Sequence, residues 1–277
     1  MPARKERISD CYGATVDYEW KRLVQDTYHK LEYRTTLLYL RKHLPGNGLI
    51  LDAGGGPGRY TIDLAKMGYE VDLLDLTEEN INFARQKIRE KRVEGKVRET
   101  MVANITDLSR IRDNTYDAVI CIGGPISHIE GEENRNKAVS ELRRVAKEGA
   151  PIFIGVFGRI GALMLSVQFW PDEIGLPSFR DFYEKGDDNR WHGRYYAHFF
   201  LPEELEDMVK RNGLDLIETV GLEGIGANAK YVNIFSRKDR PGWQNFLEAH
   251  DKLAAHPASV GMSAHILAIS RKRRTGA

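Results

Sequence analysis

The sequence predicts an α/β fold in which a doubly wound, mostly parallel sheet of seven strands carries an N-terminal helical cap and an inserted lid. Between residues 49 and 157, short apolar segments alternate with amphipathic helices, which is typical of parallel strands joined by right-handed crossovers. A loop with four glycines among five residues begins at Gly54, directly after the first strand. The alternation then lapses between residues 158 and 197, which is too long for a plain connection.

The first 46 residues are expected to form the helical cap. Apolar and aromatic side chains recur at helical spacing from Tyr18 to Leu44, and Pro45 with the glycines after it ends the helix. The aromatic side chains of this segment either pack the helices onto the core or cover a binding cleft. Tyr12 and Trp20 are the candidates for contact with a substrate.

The core is expected to extend over residues 47–272. Glycine, proline and asparagine bound its apolar runs and so divide it into strands and helices. The predicted strands begin at Leu49, Tyr69, Val97, Tyr116, Pro151, Leu214 and His265. The predicted helices include Arg59–Met67, one that begins with Thr77 as its cap, Glu132–Ala146 and Pro202–Arg211.

Two insertions interrupt this core, the lid at about residues 158–197 and a second segment at about 224–259 with a helix at 241–253. The last two strands are expected to pair as a hairpin despite the excursion between them. Residues 273–277 complete a basic tail, which we expect to be solvated.

Composition excludes several classes of protein. Apolar residues make up 42% of the 277 residues, charged residues 29%, and the formal net charge is +1, which gives no general attraction to nucleic acid. No window reaches the roughly 18 apolar residues of a membrane span. Cys11 and Cys121 are far apart and suggest neither a disulfide nor a metal site. A cytoplasmic protein without metal, nucleic-acid partner or membrane association is expected; the oligomeric state stays open.

The glycine loop indicates a nucleotide-type ligand, because glycines permit positive φ angles and close approach of the backbone. A dinucleotide site requires G-x-G-x-x-G, but Arg59 stands at the position of the last glycine. The pattern that fits is D-x-G-x-G-x-G, formed by Asp52, Gly54, Gly56 and Gly58.

Residues Leu49 to Gly58 resemble motif I of the class I S-adenosylmethionine-dependent methyltransferases, whose fold is Rossmann-like. The resemblance implies S-adenosylmethionine as cofactor and S-adenosylhomocysteine as product. It places a ribose-binding acid at Asp75, which ends the second strand, and an adenine contact at Asn104, where the family usually has Asp. The cofactor contacts implied in this way are Asp52, Gly54, Gly56, Gly58, Asp75, Leu76, Asn104, Ile105 and Ile122. Asp52 either contacts the ligand or holds the loop through its N–H groups.

A catalytic base is less evident. His128 follows the fourth strand, whose end faces the methyl group in the family, and a histidine has a suitable pKa; alternatively, it packs the next helix. His198, beside the lid, is a candidate for substrate contact.

We expect transfer of a methyl group to a small molecule, with nitrogen, oxygen and carbon acceptors all open. Gly123–Ile126 replaces the Asn/Asp-Pro-Pro-Tyr run that would indicate methylation of a nucleic-acid base. The alternatives are a cofactor-binding regulatory protein without turnover and a protein- or RNA-directed methylase.

Overall fold

The computed structural model describes residues 15–191, 195–238 and 240–274. Its strands are β1 Leu49–Ala53, β2 Glu70–Asp75, β3 Val97–Val102, β4 Ala118–Cys121, β5 Pro151–Phe157, β6 Asp187–Trp191, β7 Tyr195–His198, β8 Leu214–Gly221 and β9 His265–Lys272. Seven of them form one sheet in the order β3-β2-β1-β4-β5-β9-β8, and β6 and β7 form a separate ribbon. β1 to β5 are parallel, whereas β9 is antiparallel to both β5 and β8. The predicted Rossmann-like sheet and its final hairpin are confirmed.

Twelve α-helices lie in the described ranges. They are α1 Val16–Arg22, α2 Thr27–His43, α3 Arg59–Lys66, α4 Glu78–Glu90, α5 Glu132–Val145, α6 Arg159–Phe169, α7 Pro171–Ile174, α8 Phe179–Lys185, α9 Pro202–Arg211, α10 Ala229–Lys238, α11 Arg240–Leu253 and α12 Pro257–Met262. None of them combines the length and apolar character that crossing a membrane requires.

Helices cover both faces of the sheet, which explains why its central strands are continuous apolar runs rather than alternating ones. All five residues of β1 are buried. Leu40 of α2 and Leu64 of α3 belong to the cluster on one face, and Leu142 of α5 and Leu205 of α9 belong to the cluster on the other. Each fully buried aliphatic side chain of this kind contributes roughly 1.5–3 kcal/mol relative to exposure.

The fourth strand is shorter than predicted. Tyr116 makes only an isolated bridge to Ala146, and the ladder begins at Ala118. The Tyr116 hydroxyl donates to Asp72 of β2 at 3.1 Å, so this side chain is anchored to a strand that is not its neighbour in the sheet.

The N-terminal helices are connected to the second insertion by polar contacts. The Asp26 side chain caps α2 by accepting from the backbone N–H of His29 at 3.0 Å. The backbone N–H of Tyr28 donates to the Asn233 side chain at 3.0 Å, and Arg34 pairs with Asp251. Helix α2 is thereby held against α10 and α11.

The insertion after β5 contains α6, α7, α8 and the β6–β7 ribbon. The buried Arg159 holds it to the core, because its guanidinium donates to the carbonyl oxygens of Phe199 and Lys185 and to the Glu204 carboxylate. Phe182 packs against Phe199 with ring centroids 4.7 Å apart. These contacts give the insertion its own small core beside the sheet.

Candidate active site

The glycine loop after β1 has the backbone geometry that the sequence predicts. Gly54, Gly56 and Gly58 have φ angles of 78°, 54° and 80°, which favour glycine. A Cβ atom at Gly54 would lie 2.5 Å from Pro125 Cγ. The backbone N–H groups of Gly54 and Gly55 both donate to the Leu74 carbonyl oxygen, at 2.7 and 3.1 Å. The loop is therefore fixed against the end of β2.

Asp52 lies behind this loop. Its carboxylate is 1% exposed and accepts a 2.6 Å hydrogen bond from the Thr61 hydroxyl. A Cβ atom at Gly55 would lie 2.5 Å from Asp52 Oδ2, so the loop backbone packs directly on this carboxyl group. Burial raises the pKa of Asp52 to about 7. Asp52 does not line the chamber at the carboxyl edge of the sheet, and the loop N–H groups bond to Leu74, Asp75 and Gly55 rather than to Asp52. Its contact with the loop is the packing against Gly55.

Asp75 ends β2 and organises the opposite side of the loop. Its Oδ2 accepts the Gly56 N–H at 2.9 Å, and its Oδ1 accepts the Thr77 N–H at 2.9 Å and the Asn80 amide at 3.1 Å. Burial nonetheless raises the pKa of the Asp75 carboxyl group. Thr77 occupies the predicted cap position of α4 but makes no side-chain capping bond, and its backbone N–H donates to Asp75.

One chamber of about 370 Å³ lies at the carboxyl edge of the sheet. Gly54 and Gly56 line it. It also brings together five other residues that the resemblance implies for the cofactor, namely Asp75, Leu76, Asn104, Ile105 and Ile122. This edge is where parallel α/β sheets bind their ligands.

Asn104 lines the chamber and also stabilises a turn. Its side-chain oxygen accepts the backbone N–H of Thr106 at 3.0 Å. This is the turn chemistry for which Asn is common at strand ends. The amide oxygen retains a second lone pair for a ligand.

His128 also lines the chamber, in a short 3-10 helix at Ile126–His128 after β4. Its Nδ1 lies 3.1 Å from the Tyr196 carbonyl oxygen, so Nδ1 carries the proton in the neutral ring. Burial lowers the pKa of His128 to about 4. The imidazole is neutral at pH 7 and is a weaker base than an ordinary histidine.

Besides Asp52, three predicted residues occupy other places, and one more lies outside the described ranges. Gly58 caps α3, where its hypothetical Cβ atom would lie 3.0 Å from Ala84 Cβ. Trp20 packs its ring beneath the Arg59 guanidinium at 4.2 Å. His198 is buried between two carboxylates, with Asp187 2.8 Å from Nδ1 and Glu204 2.6 Å from Nε2. None of these three lines the chamber. Tyr12 is the residue outside the described part of the chain.

A charged group beside the chamber went unnoticed in the sequence. Arg22 lines the chamber and holds both oxygens of the buried Glu32, at 2.7 and 3.0 Å. Arg22 lowers the pKa of Glu32 to about 2, against the effect of burial. His265 Nδ1 lies 3.7 Å from Glu32 and 2.5 Å from Glu223. In the sequence, His265 stands at the start of the last strand. Because that strand begins at the same edge of the sheet, this position could have indicated that His265 lies near the site.

The residues of the chamber fit S-adenosylmethionine. Asn80 Oδ1 and the Tyr60 hydroxyl are buried without a hydrogen-bond partner, and both residues line the chamber. Orphaned polar atoms in a cavity wall indicate a ligand that satisfies them. Asp75 offers acceptors to ribose hydroxyls, and Leu76 and Ile105 provide apolar contact for a purine ring.

Comparison with known proteins agrees with this fit. The sequence model of a methyltransferase domain matches residues 50–149. The chain is 30% identical over 108 residues to a glycine/sarcosine N-methyltransferase from Aphanothece halophytica, covering 39% of each protein. It is 26% identical over 179 residues to a ubiquinone biosynthesis O-methyltransferase from Methylococcus capsulatus, covering 64% of this chain and 66% of the relative.

Similarity of fold extends over nearly the whole chain. One solved structure is a 1,6-didemethyltoxoflavin-N1-methyltransferase from Burkholderia thailandensis with bound 1,6-didemethyltoxoflavin and S-adenosylhomocysteine. It has a TM-score of 0.60 at 13% identity and covers 99% of this chain and 92% of its own. Together with the glycine loop, Asp75 and the strand order, the match of residues 50–149 to a methyltransferase domain supports a class I S-adenosylmethionine-dependent methyltransferase with S-adenosylmethionine as cofactor.

Proposed function

We propose that the protein transfers the methyl group of S-adenosylmethionine to a small-molecule acceptor enclosed in the chamber. The donor is held by the glycine loop and Asp75 at its ribose, and by Leu76, Asn104 and Ile105 at its adenine. Ile122 directly follows β4 and lines the chamber, on the side where the resemblance places the methyl group. When bound, the cofactor supplies an electrophilic methyl group on a sulfonium sulfur.

The observation that carries this proposal is the closure of the chamber from two sides. Arg22 and Leu23, at the end of α1, form one wall, and Tyr196 of β7 forms another. The chamber volume of about 370 Å³ lies in the range of small-molecule sites. A protein or RNA chain needs an open groove, so walls on two sides of the chamber favour a small molecule as acceptor.

The walls of the acceptor side combine apolar and polar groups. Leu23, Pro125 and Ile129 exclude water, while Arg22, Glu130 and Asn134 orient polar groups. His128 faces the same side as a neutral hydrogen-bonding group. The two curated relatives described above are an N- and an O-methyltransferase, so nitrogen and oxygen acceptors both agree with the comparisons.

The proposal is tested by incubating the protein with methyl-labelled S-adenosylmethionine and a metabolite extract, a protein extract or an RNA preparation in separate reactions. Label in a low-mass product is the expected result. Label confined to protein or RNA would replace the proposal by a macromolecular methylase. Binding of the donor without transfer to any of the three would indicate a regulatory protein.

A further inference from the structure

The first helix contributes an acidic side chain to the chamber wall. Glu19 of α1 lines the chamber together with Arg22 and Leu23. Residues three and four positions apart lie on one face of a helix, so these three side chains share the face of α1 that borders the chamber. The proposed function assigns this wall to the acceptor. Under that assignment, Glu19 belongs to the acceptor side of the chamber.

The Glu19 carboxylate accepts no hydrogen bond from the residues that the structure describes. Its ion pair is with Arg22, whose Nε lies 3.6 Å from Glu19 Oε2, which is longer than a hydrogen bond. The two terminal nitrogens of Arg22 hold Glu32 instead, at 2.7 and 3.0 Å. The Glu19 side chain is nevertheless only 21% exposed. A carboxylate that is largely shielded from water and lacks a donor in the protein indicates a ligand that supplies one.

The charges around Glu19 do not balance. Ion-pair distances connect three carboxylates, those of Glu19, Glu32 and Glu223. Arg22 and a protonated His265 supply two positive charges. Among the described residues of this group, one negative charge therefore remains even when His265 is protonated. Burial raises the pKa of the Glu19 carboxyl group, against the opposing effect of Arg22, because a poorly solvated charge is costly.

The other charged residues of the chamber wall do not supply the missing positive charge. Arg59 lines the chamber, but its guanidinium lies over the Trp20 ring at 4.2 Å and donates to the Trp20 carbonyl oxygen. Glu130, which follows the 3-10 helix, adds a further carboxyl group to the lining. The composition of the acceptor side thus favours a cationic ligand over an anionic one.

A protonated amino group matches this side of the chamber. It combines a positive charge with several N–H donors. Glu19 offers it a charge-assisted hydrogen bond, which is roughly twice as strong as a neutral one. Tyr60 offers a second oxygen in the same lining: its side chain is 6% exposed, and its hydroxyl is buried without a hydrogen-bond partner in the described ranges.

We propose that Glu19 binds a protonated amino group of the acceptor and thereby determines which acceptors the enzyme uses. This rests on the proposed function of the chamber. The acceptor is accordingly a small molecule with an amino group, and alcohols or acids without one are poor substrates. While it is protonated, this nitrogen has no electron pair with which to attack the methyl carbon. Glu19 therefore acts in binding and not in the transfer step.

The experiment separates a metabolite extract by ion exchange into cationic, neutral and anionic fractions. Each fraction is incubated with the wild type and methyl-labelled S-adenosylmethionine, and we expect labelled products from the cationic fraction. Glu19→Gln keeps the size of the side chain and removes its charge. We expect the amount of cationic fraction that gives half the maximal rate to rise about 10- to 100-fold, while the maximal rate stays within about twofold.

Asp17→Asn is the matched control. Asp17 is an exposed acid on the same helix and does not line the chamber, so this variant removes the same charge from α1 outside the site. Its half-saturating amount of the cationic fraction should equal that of the wild type.

Calorimetry with S-adenosylhomocysteine provides a readout that does not depend on turnover. This compound keeps the amino group of the methyl donor, so its affinity distinguishes the donor's amino group from that of the acceptor as the partner of Glu19. We expect Glu19→Gln to bind it as tightly as the wild type does. The same result would show that the variant is folded.

Three results would overturn the role of Glu19. They are label confined to products of the neutral or anionic fraction, a wild-type half-saturating amount in Glu19→Gln, and a loss of affinity for S-adenosylhomocysteine at least as large as the rise in that amount. Each leaves the proposed function intact, because the wild type still labels a small molecule. Failure of the wild type to label a product from any of the three fractions would instead remove the proposed function, and the role of Glu19 with it.

Discussion

Two aspartates on neighbouring strands perform different tasks because their surroundings differ. Asp75 has contacts with Gly56, Thr77 and Asn80 and lies in the chamber wall. Asp52 is sealed behind the loop with Thr61 as its polar partner. We propose that the first carboxylate binds the ligand, whereas the second packs against the back of the loop.

Replacement of Asp75 tests the first task. Asp75→Ala removes the acceptor for ribose hydroxyls and for the Gly56 N–H, so we expect the affinity for S-adenosylhomocysteine to fall by about 1–3 kcal/mol in calorimetry. Asp107→Ala, an acid after β3 that does not line the chamber, is the control and should bind as the wild type does. Equal affinity in all three proteins would contradict the assignment.

The pH dependence of stability tests the second task. The pKa of Asp52 is about 7 in the folded protein, against about 3.9 in an unfolded chain, because burial disfavours its charge. Its contribution to stability is complete below about pH 4 and is lost as the pH rises through about 7. Asn does not titrate, so the stability of Asp52→Asn relative to the wild type should increase by about 2–3 kcal/mol between pH 5 and pH 8.

Urea unfolding at both pH values measures this difference. Asp107→Asn serves as the control, and its stability should change with pH in parallel with that of the wild type. If the stability of Asp52→Asn also changes with pH in parallel with that of the wild type, Asp52 ionises in the folded protein without loss of stability.

The spacing of residues in the sequence predicts a site residue when its place depends only on the strand that it follows. The register of Asp75 and Asn104 behind successive strands placed both in the chamber wall. The contact between Glu223 and His265 joins residues 42 positions apart, across an insertion, so no local pattern could reveal it. The support role of Asp52 depends on the packing of Gly55 against it, which is also invisible in a motif.

At the scale of elements, a buried ion pair attaches the first helix to the second. Arg22, the last residue of α1, holds Glu32 of α2, whose side chain is 1% exposed. Removing one partner of such a pair leaves an uncompensated charge in the interior, which is much more costly than breaking a surface pair.

Arg22→Met is therefore expected to lower the free energy of unfolding by about 3–5 kcal/mol. The double variant Arg22→Met/Glu32→Gln should recover most of this loss, since it leaves no isolated charge. Arg273→Met breaks an exposed pair with Asp215 and should cost less than about 1 kcal/mol. Urea unfolding compares the three. A double variant as unstable as Arg22→Met would contradict the assigned role of the Glu32 charge.

The ends of helices and strands were predictable where a proline or glycine bounds a clear apolar pattern. β5 at Pro151–Phe157 and α9 at Pro202–Arg211 agree with the prediction at both ends, each beginning at a proline. The inserted segment was recognised only by the lapse of alternation. Its helices α6 to α8 bury few residues of their own, so their sequences carry little amphipathic signal.

At the scale of the whole molecule, the parallel sheet gathers the site from distant parts of the chain. β1, β2, β3 and β4 each end at the chamber edge, and the antiparallel β9 begins there. Helix α1 and strand β7 then close the space above this edge with Arg22, Leu23 and Tyr196. The part of the chamber assigned to the methyl donor could be predicted from the spacing of the glycine motif, Asp75 and Asn104. The part assigned to the acceptor is formed by α1 and β7, for which no such spacing rule exists.

The central claim is that the chamber against the glycine loop is the donor site, and calorimetry with S-adenosylhomocysteine tests it most directly. A Cβ atom at Gly56 would meet nothing nearer than Asn80 Nδ2 at 3.9 Å, so a side chain there would extend into the chamber. Gly68→Val is the control, because Gly68 has a φ of 102° with open space around it and does not line the chamber. We predict that the wild type and Gly68→Val bind one equivalent of S-adenosylhomocysteine, that Gly56→Val binds none while remaining folded, and that NAD binds to none of them. Undiminished binding by a folded Gly56→Val, or binding of NAD in place of the sulfur compound, would contradict the claim.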